Sequence, residues 1–165
     1  MNEELQDKLY EKYPDLFSNK IKSPTESCMS WGCEVGDGWY DILSCLCYSI
    51  VQYENMIKNS NTWSETQFGE LAQKYKNYCP VKFDQVKEKY GGLRVYFNGG
   101  DDYVDGLISM AETMSYKICE VCGNPGKPNE SGWIVTLCDN CQQTMETKSD
   151  AWYLYWIWWL LFGVC

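Results

Sequence analysis

Two cysteine pairs, Cys119-Glu-Val-Cys122 and Cys138-Asp-Asn-Cys141, stand fifteen residues apart. A C-x2-C, x15, C-x2-C arrangement lies inside the spacing range of a structural zinc site. Each C-x-x-C turn presents two thiolates to one side of a tetrahedron, and an intervening hairpin must bring the pairs together. Gly123, the Asn124-Pro125-Gly126 run and Gly132 supply the turns that such a hairpin needs. The expected cofactor is therefore Zn²⁺ held by Cys119, Cys122, Cys138 and Cys141. Four thiolates leave no open position for substrate or water, so the expected role of the metal is structural.

The chemistry left to the rest of the chain is narrow. It has 165 residues, enough for one compact domain plus a small module. With no histidine anywhere, a Ser-His-Asp triad, a Cys-His pair and a His-ligated metal are all excluded. A net charge of −9 opposes a phosphate backbone, so generic DNA or RNA binding is not expected. The ribbon follows the same trend, with Lys127 set against Glu120, Glu130 and Asp139. Ten cysteines behind an acidic Met1-Asn2-Glu3-Glu4 start, without a secretory pattern, point to a reducing compartment and a cytoplasmic location.

Periodicity divides the chain into elements. Leu5, Leu9, Tyr10, Tyr13 and Leu16 or Phe17 give a short amphipathic helix ending near Pro14, followed by an ordered loop from Ser23 to Gly38. Trp39, Ile42, Leu43, Leu46, Ile50 and Tyr53 define one face of a central helix. A capping box at Ser64-Glu65-Thr66-Gln67 predicts a further helix over 64–78. After Pro80 the period changes to two strands joined at Gly91-Gly92, with Leu93, Val95 and Phe97 toward the core and Arg94 and Tyr96 away from it. Asp101 or Asp102 caps a third long helix carrying Val104, Leu107, Ile108, Ala111, Met114 and Ile118.

Several weaker constellations carry competing readings. Gly36-Asp37-Gly38-Trp39-Tyr40-Asp41 leads into the central helix, where an aspartate serves as N-cap. The same place gathers Trp31, Trp39 and Tyr40 beside a helix N-terminus, which suits an anion under a stacked base. Residues 81–97 hold four basic and two acidic groups, the only net-basic segment; there Lys87, Lys89 and Arg94 flank Tyr96 and can hold a phosphate. The alternative is an ordinary solvated hairpin face. Cys28 and Cys33 are either free thiols or half of a second metal site. Asp101, Asp102, Asp105 and Glu112 are either helix caps or ligands for a catalytic Mg²⁺ or Mn²⁺. The run from Ala151 to Cys165 lacks any charged residue yet is short for a bilayer, whose core needs about 20 apolar residues. It reads as a buried packing or oligomer contact, with membrane contact as the alternative.

Taken together, SCMSWGCEVGDGWYDIL, QVKEKYGGLRVYF and AETMSYKICEVCGNPG with its second C-x-x-C resemble a group of small proteins encoded by bacteriophages and prophages. That group carries a W-G-x-x-x-G-D-G-W-Y-D segment, a V-K-E-K-[FY]-G-x-L-R-[FV]-Y hairpin and a terminal zinc knuckle pair. The resemblance covers roughly residues 25 to 141 and implies a counter-defence role in the host cytoplasm. The expected fold is α+β, with helices packed around a β-hairpin over 1–117, a four-cysteine zinc ribbon over 118–143 and an aromatic tail over 144–165. The expected function is a non-enzymatic, homo-oligomeric sponge for a small nucleotide-derived immune signal. Trp31, Asp37, Trp39, Tyr40, Lys87, Lys89, Arg94 and Tyr96 are its candidate ligand residues. A protein–protein inhibitor of a host defence protein and a metal-dependent cyclic-nucleotide phosphodiesterase are the alternatives.

Overall fold

The computed structural model describes residues 1–60, 76–129 and 132–145. Helix α1 (Glu3–Lys12) starts where the Asn2 side chain accepts the Leu5 N–H, and it carries Glu3 and Glu4 in its first turn and Lys12 in its last. That arrangement matches charge to the helix dipole at both ends. The loop to α2 is more structured than its Gly, Ser and Pro content predicts. It contains 3-10 turns at Ser18–Ile21, Cys28–Trp31 and Asp37–Trp39, and a two-residue strand β1 (Cys33–Glu34). Helix α2 (Tyr40–Ser60) then crosses the molecule and buries Ile42, Leu43, Leu46 and Ile50, the face set by its sequence period. The helix expected over 64–78 falls, up to residue 75, outside the described residues; residues 76–77 form a turn.

Strands β2 (Lys82–Lys89) and β3 (Gly92–Asn98) form the expected antiparallel hairpin, and β1 adds to β2 in parallel, giving the order β1-β2-β3. Cys33 lies opposite Val86, and Val86 opposite Val95, so one face of the sheet is apolar as far as Glu88, which stands opposite Leu93 near the turn. The register shifts between Phe83 and Gln85. Asp84, the extra residue, is held by the side-chain amides of Asn19 and Asn98. The turn is Tyr90-Gly91, one residue earlier than the expected Gly91-Gly92 pair. Both turn residues have positive φ (55° and 74°), as a two-residue hairpin turn of the right twist needs. Gly92 belongs to β3 and answers a different constraint, because a β-carbon there would overlap the Tyr116 ring.

Helix α3 (Asp102–Ser115) is capped by Asp101, whose carboxylate accepts the Tyr103 and Val104 N–H groups and the Tyr53 hydroxyl. It buries Val104, Ile108 and Ala111 against the sheet and α2. Its polar side chains also serve β3, an edge strand whose outward N–H groups would otherwise lack partners. Ser115 Oγ accepts from Leu93 N at 2.9 Å, and Glu112 Oε1 accepts from Val95 N at 3.0 Å. The helix stops at Ser115, three residues short of Ile118, whose backbone instead bridges to Pro125. A short antiparallel pair, β4 (Lys127–Pro128) with β5 (Thr136–Leu137), completes the ribbon. The α+β fold with helices around a hairpin and a four-cysteine module after it is thus the observed one. Among the described residues no helix is long and apolar enough to cross a membrane, and the 151–165 run lies outside them.

Tyr90 is a bulky side chain in the left-handed region, 69% exposed and making little use of burial. Tyr90→Asn would create the Asn-Gly pair that this turn prefers and should stabilise the chain by about 0.5–1 kcal/mol. Urea titration would read this as a higher midpoint at unchanged slope; a lower midpoint would contradict the turn assignment.

Candidate metal centre

The first knuckle grows out of the end of α3. Cys119 N donates to Asn124 O at 2.7 Å and Gly123 N to Cys119 O at 2.9 Å, closing a tight loop that aims both sulfurs the same way. Gly123 takes the positive φ of 77° that this loop needs. The second knuckle opens a helix over residues 139–145, with Gln142 N donating to Cys138 O. The β4–β5 pair between them folds the chain back, and Glu120 N donates to Thr136 O at 2.9 Å. The four sulfurs consequently lie within 4.8 Å of one another, with Cys122 and Cys138 at 3.6 Å. A tetrahedron with metal–sulfur bonds of about 2.3 Å has edges of about 3.8 Å, so the cage is close to the size of one ion.

Two of the four thiols differ sharply in acidity. Burial would raise the Cys119 thiol, but the backbone N–H groups of Cys138, Cys122 and Val121 outweigh it and bring it down to about 7. Cys141 is pushed up to about 12, chiefly by its hydrogen bonds to Cys122 and Cys138. A divalent cation relieves this crowding by taking all four sulfurs as thiolates. The cluster can therefore hold a metal ion such as zinc, and its four sulfurs fit the donor set a zinc ribbon uses.

The knuckle is seated on the core by the segment whose sequence suggests a ligand site. Gly38 N donates to Glu120 O at 2.8 Å and Gly36 N to Glu120 Oε1 at 2.9 Å. The Trp39 indole N–H reaches Ile118 O at 2.8 Å. A β-carbon on Gly36 would overlap the Glu120 carbonyl, and one on Gly38 would overlap the Cys119 carbonyl and the Gly123 amide. Burial pushes the Glu120 carboxyl up, partly countered by the Gly36 N–H. The hairpin tip makes the second seat, where Thr136 Oγ1 donates to Gly91 O at 2.5 Å and a β-carbon on Gly91 would press on Ile134. Both motifs thus shape themselves around the ribbon, and their glycines answer a close backbone approach that turn chemistry alone does not reveal.

The candidate ligand residues are dispersed. Trp39 is completely buried, so its ring cannot wall a pocket. The Asp37 carboxylate accepts both the backbone and side-chain N–H groups of Asn2, at 2.7 and 2.8 Å. Arg94 faces away from the core as expected, yet its guanidinium donates to the Tyr116 hydroxyl at 2.7 Å, lies 3.8 Å from Glu112 and covers the Tyr116 ring. It is a structural clamp between β3 and the end of α3 and not a cation left free for a phosphate. The Lys87 ammonium sits 5.1 Å above the Tyr96 ring, and Lys89 is exposed beside Tyr90. Tyr40 begins α2 and is half-buried. Trp31, 65% exposed, lines an open groove of about 380 Å³ with Tyr10, Lys20 and Met29; Lys87, Lys89, Arg94 and Tyr96 do not line it.

The remaining candidates have structural partners too. Asp101 is the α3 cap and Glu112 serves β3, while Asp102 and Asp105 are exposed in the first turn of α3. Cys33 is buried against the Tyr10 hydroxyl, and burial pushes its thiol up to about 11, as for a packed thiol. Cys28, five positions earlier, is exposed. Compared with known proteins, the chain matches no family model, no curated protein and no solved structure.

The seat generates a prediction with its own control. Gly38→Ala should cost about 1–3 kcal/mol and weaken metal retention, read as a lower Tm and faster metal loss to a chelator. Gly106→Ala, on α3 with nothing within 4 Å of the new methyl, should leave metal retention unchanged and raise Tm slightly, since alanine favours helix. Acidification should release the metal cooperatively with loss of the β4–β5 signals in NMR, because protonated thiols no longer ligate.

Proposed function

We propose that the chain is a non-enzymatic binding protein of the phage counter-defence kind, stapled by structural Zn²⁺, that acts by covering a surface of a host protein. The observation that carries this reading is the apolar surface built where the hairpin tip meets the ribbon. Tyr90 is 69%, Trp133 80% and Ile134 40% exposed, and Ile134 packs on Gly91, which places strand tip and ribbon in one patch. Exposed aromatic side chains of this kind are enriched at protein interfaces and are unusual on a surface with nothing to meet. The patch depends on the four-cysteine centre for its shape, so the metal has a function without performing chemistry. The chain's acidity adds electrostatic steering toward a basic partner surface.

A second reading keeps the nucleotide-derived ligand but moves its site. Trp31 offers an open indole face in the groove with Lys20, whose ammonium lies 4.0 Å above the Tyr10 ring. That pairing supplies stacking and one positive charge. It is the weaker reading because Glu3 and Asp7 line the same groove and oppose a phosphate.

One set of measurements separates the two. Metal analysis of the purified protein should give one zinc per chain. Capture from a host lysate should recover a single stoichiometric protein, lost with Trp133→Ser and Ile134→Ser together while zinc content and Tm are kept. If instead cyclic nucleotides or ADP-ribose derivatives raise Tm and Trp31→Ala abolishes the shift, the ligand reading replaces the protein-masking one.

A further inference from the structure

Helices α2 and α3 leave between them an apolar groove of about 200 Å³, floored by Ile42, Leu46 and Ala111 and rimmed by Met110 and Met114. Met110 and Met114 are 56% and 47% exposed, on a helix whose opposite side is buried. A cavity of roughly 150 Å³ lined by aliphatic side chains already accepts a benzene ring, so this groove has room for one aromatic side chain. Among the described residues, Asp41 is the only charged group in its lining. It stands at the α2 end, where it can accept a hydrogen bond from an indole N–H or a phenol.

We propose that this groove is the seat of the chain's own segment 151–165, which lays one of its Trp or Tyr rings between Leu46 and Met110. The proposal is independent of the protein-masking surface, which lies at the hairpin tip. Three observations meet here. First, AWYLYWIWWLLFGVC has no charged residue and six Trp or Tyr side chains, each an apolar plate with one polar edge. That chemistry matches a groove of aliphatic walls with a single acceptor. Second, the described chain reaches Met145 in a helix that begins beside the metal centre, and the Cys141 and Cys119 sulfurs lie within 4.8 Å. Cys119 follows Ile118, which lines the groove. Third, the polar stretch 146–150 (ETKSD), fully extended, spans up to about 17 Å. The stretch of α2 that lines the groove, from Asp41 to Ser49, is about 12 Å long. The tether is thus longer than the groove wall it has to follow, and it begins at residue 146, five after Cys141, whose sulfur lies by that of Cys119 next to that wall. Methionine rims suit this use, since their flexible thioethers conform to whichever ring enters.

Cys45 provides the readout, because it is exposed in the described structure and lines the groove. In the full chain, alkylation of Cys45 by iodoacetamide, followed by peptide mass mapping, should be at least ten-fold slower than in a chain ending at Asp150. Cys28, exposed but outside the groove lining, is the internal control and should react equally in both. Full-length Met110→Gln with Met114→Gln, neutral changes at exposed positions that should preserve the fold, should bring Cys45 to the rate of the truncated chain. Equal Cys45 rates in full and truncated chains would overturn the proposal. Protection that grows with protein concentration would assign the groove to a second copy, and protection relieved by phosphatidylcholine vesicles would assign the segment to lipid. Either result would also overturn it.

Discussion

The hydrogen bond from the Trp39 indole to the Ile118 carbonyl ties together the two halves of this structure. Among the described residues Trp39 is the largest fully buried side chain, and its nitrogen needs an acceptor inside the core. The acceptor it finds is the last backbone carbonyl before the first metal-ligand cysteine. Meeting that need requires the chain to leave helical geometry after Ser115, and Ile118 duly pairs with Pro125 instead of continuing α3. Gly36 and Gly38 follow from the same contact, since bringing Trp39 close to Ile118 brings its neighbours onto the backbone of Cys119 and Glu120. The four-cysteine cluster and the hydrophobic core are thereby coupled. A metal held by the cluster would fasten the knuckle on which the Trp39 hydrogen bond depends, and Trp39 supplies the surface on which the knuckle rests.

This coupling explains which features are legible in the amino-acid order and which are not. The cysteine spacing is a constraint within 23 residues, and the alternation Leu93, Val95, Phe97 is a constraint within five; both declare themselves locally. The face of α2 is likewise carried by its own period. The meaning of Gly-Asp-Gly-Trp is set by residues some eighty positions away. Glycines before a helix N-terminus permit a turn, admit an anion or admit another backbone, and local sequence does not choose among these. Its aromatic neighbours in sequence suggest Trp39 as a pocket wall, whereas its burial follows from long-range packing. Arg94 shows the same limit. A lone arginine in a basic hairpin reads as a phosphate ligand, yet Glu112 and Tyr116 engage it from the next helix and its end.

The acidic surplus acquires a structural meaning once its partners are seen. Asp101 caps α3, Glu112 satisfies the edge of β3, and Glu120 receives Gly36. Glu54, buried on α2, accepts Val81 N–H at 2.7 Å and the Tyr78 hydroxyl at 3.3 Å, fixing the chain where it enters the hairpin. Asp37 holds the start of α1 through Asn2. A fold with many short connections exposes many backbone N–H groups, and carboxylates are strong acceptors for them. Much of the negative charge is therefore used to join elements and need not serve a metal or a substrate.

A divalent cation held by the four cysteines would deepen that charge instead of offsetting it. Four thiolates around one divalent cation carry a net charge of −2, added to a formal −9. That charge would lie in the module whose Trp133 and Ile134 are exposed and in which Glu120, Glu130 and Asp139 outnumber Lys127. A phosphate-bearing ligand approaching this end meets repulsion with Lys127 already 3.9 Å from Asp139, whereas a protein surface with apolar residues ringed by lysine and arginine meets both complementary burial and attraction. Under the proposed masking role, electrostatics and exposed aromatics point to the same class of partner, a protein surface and not a nucleotide.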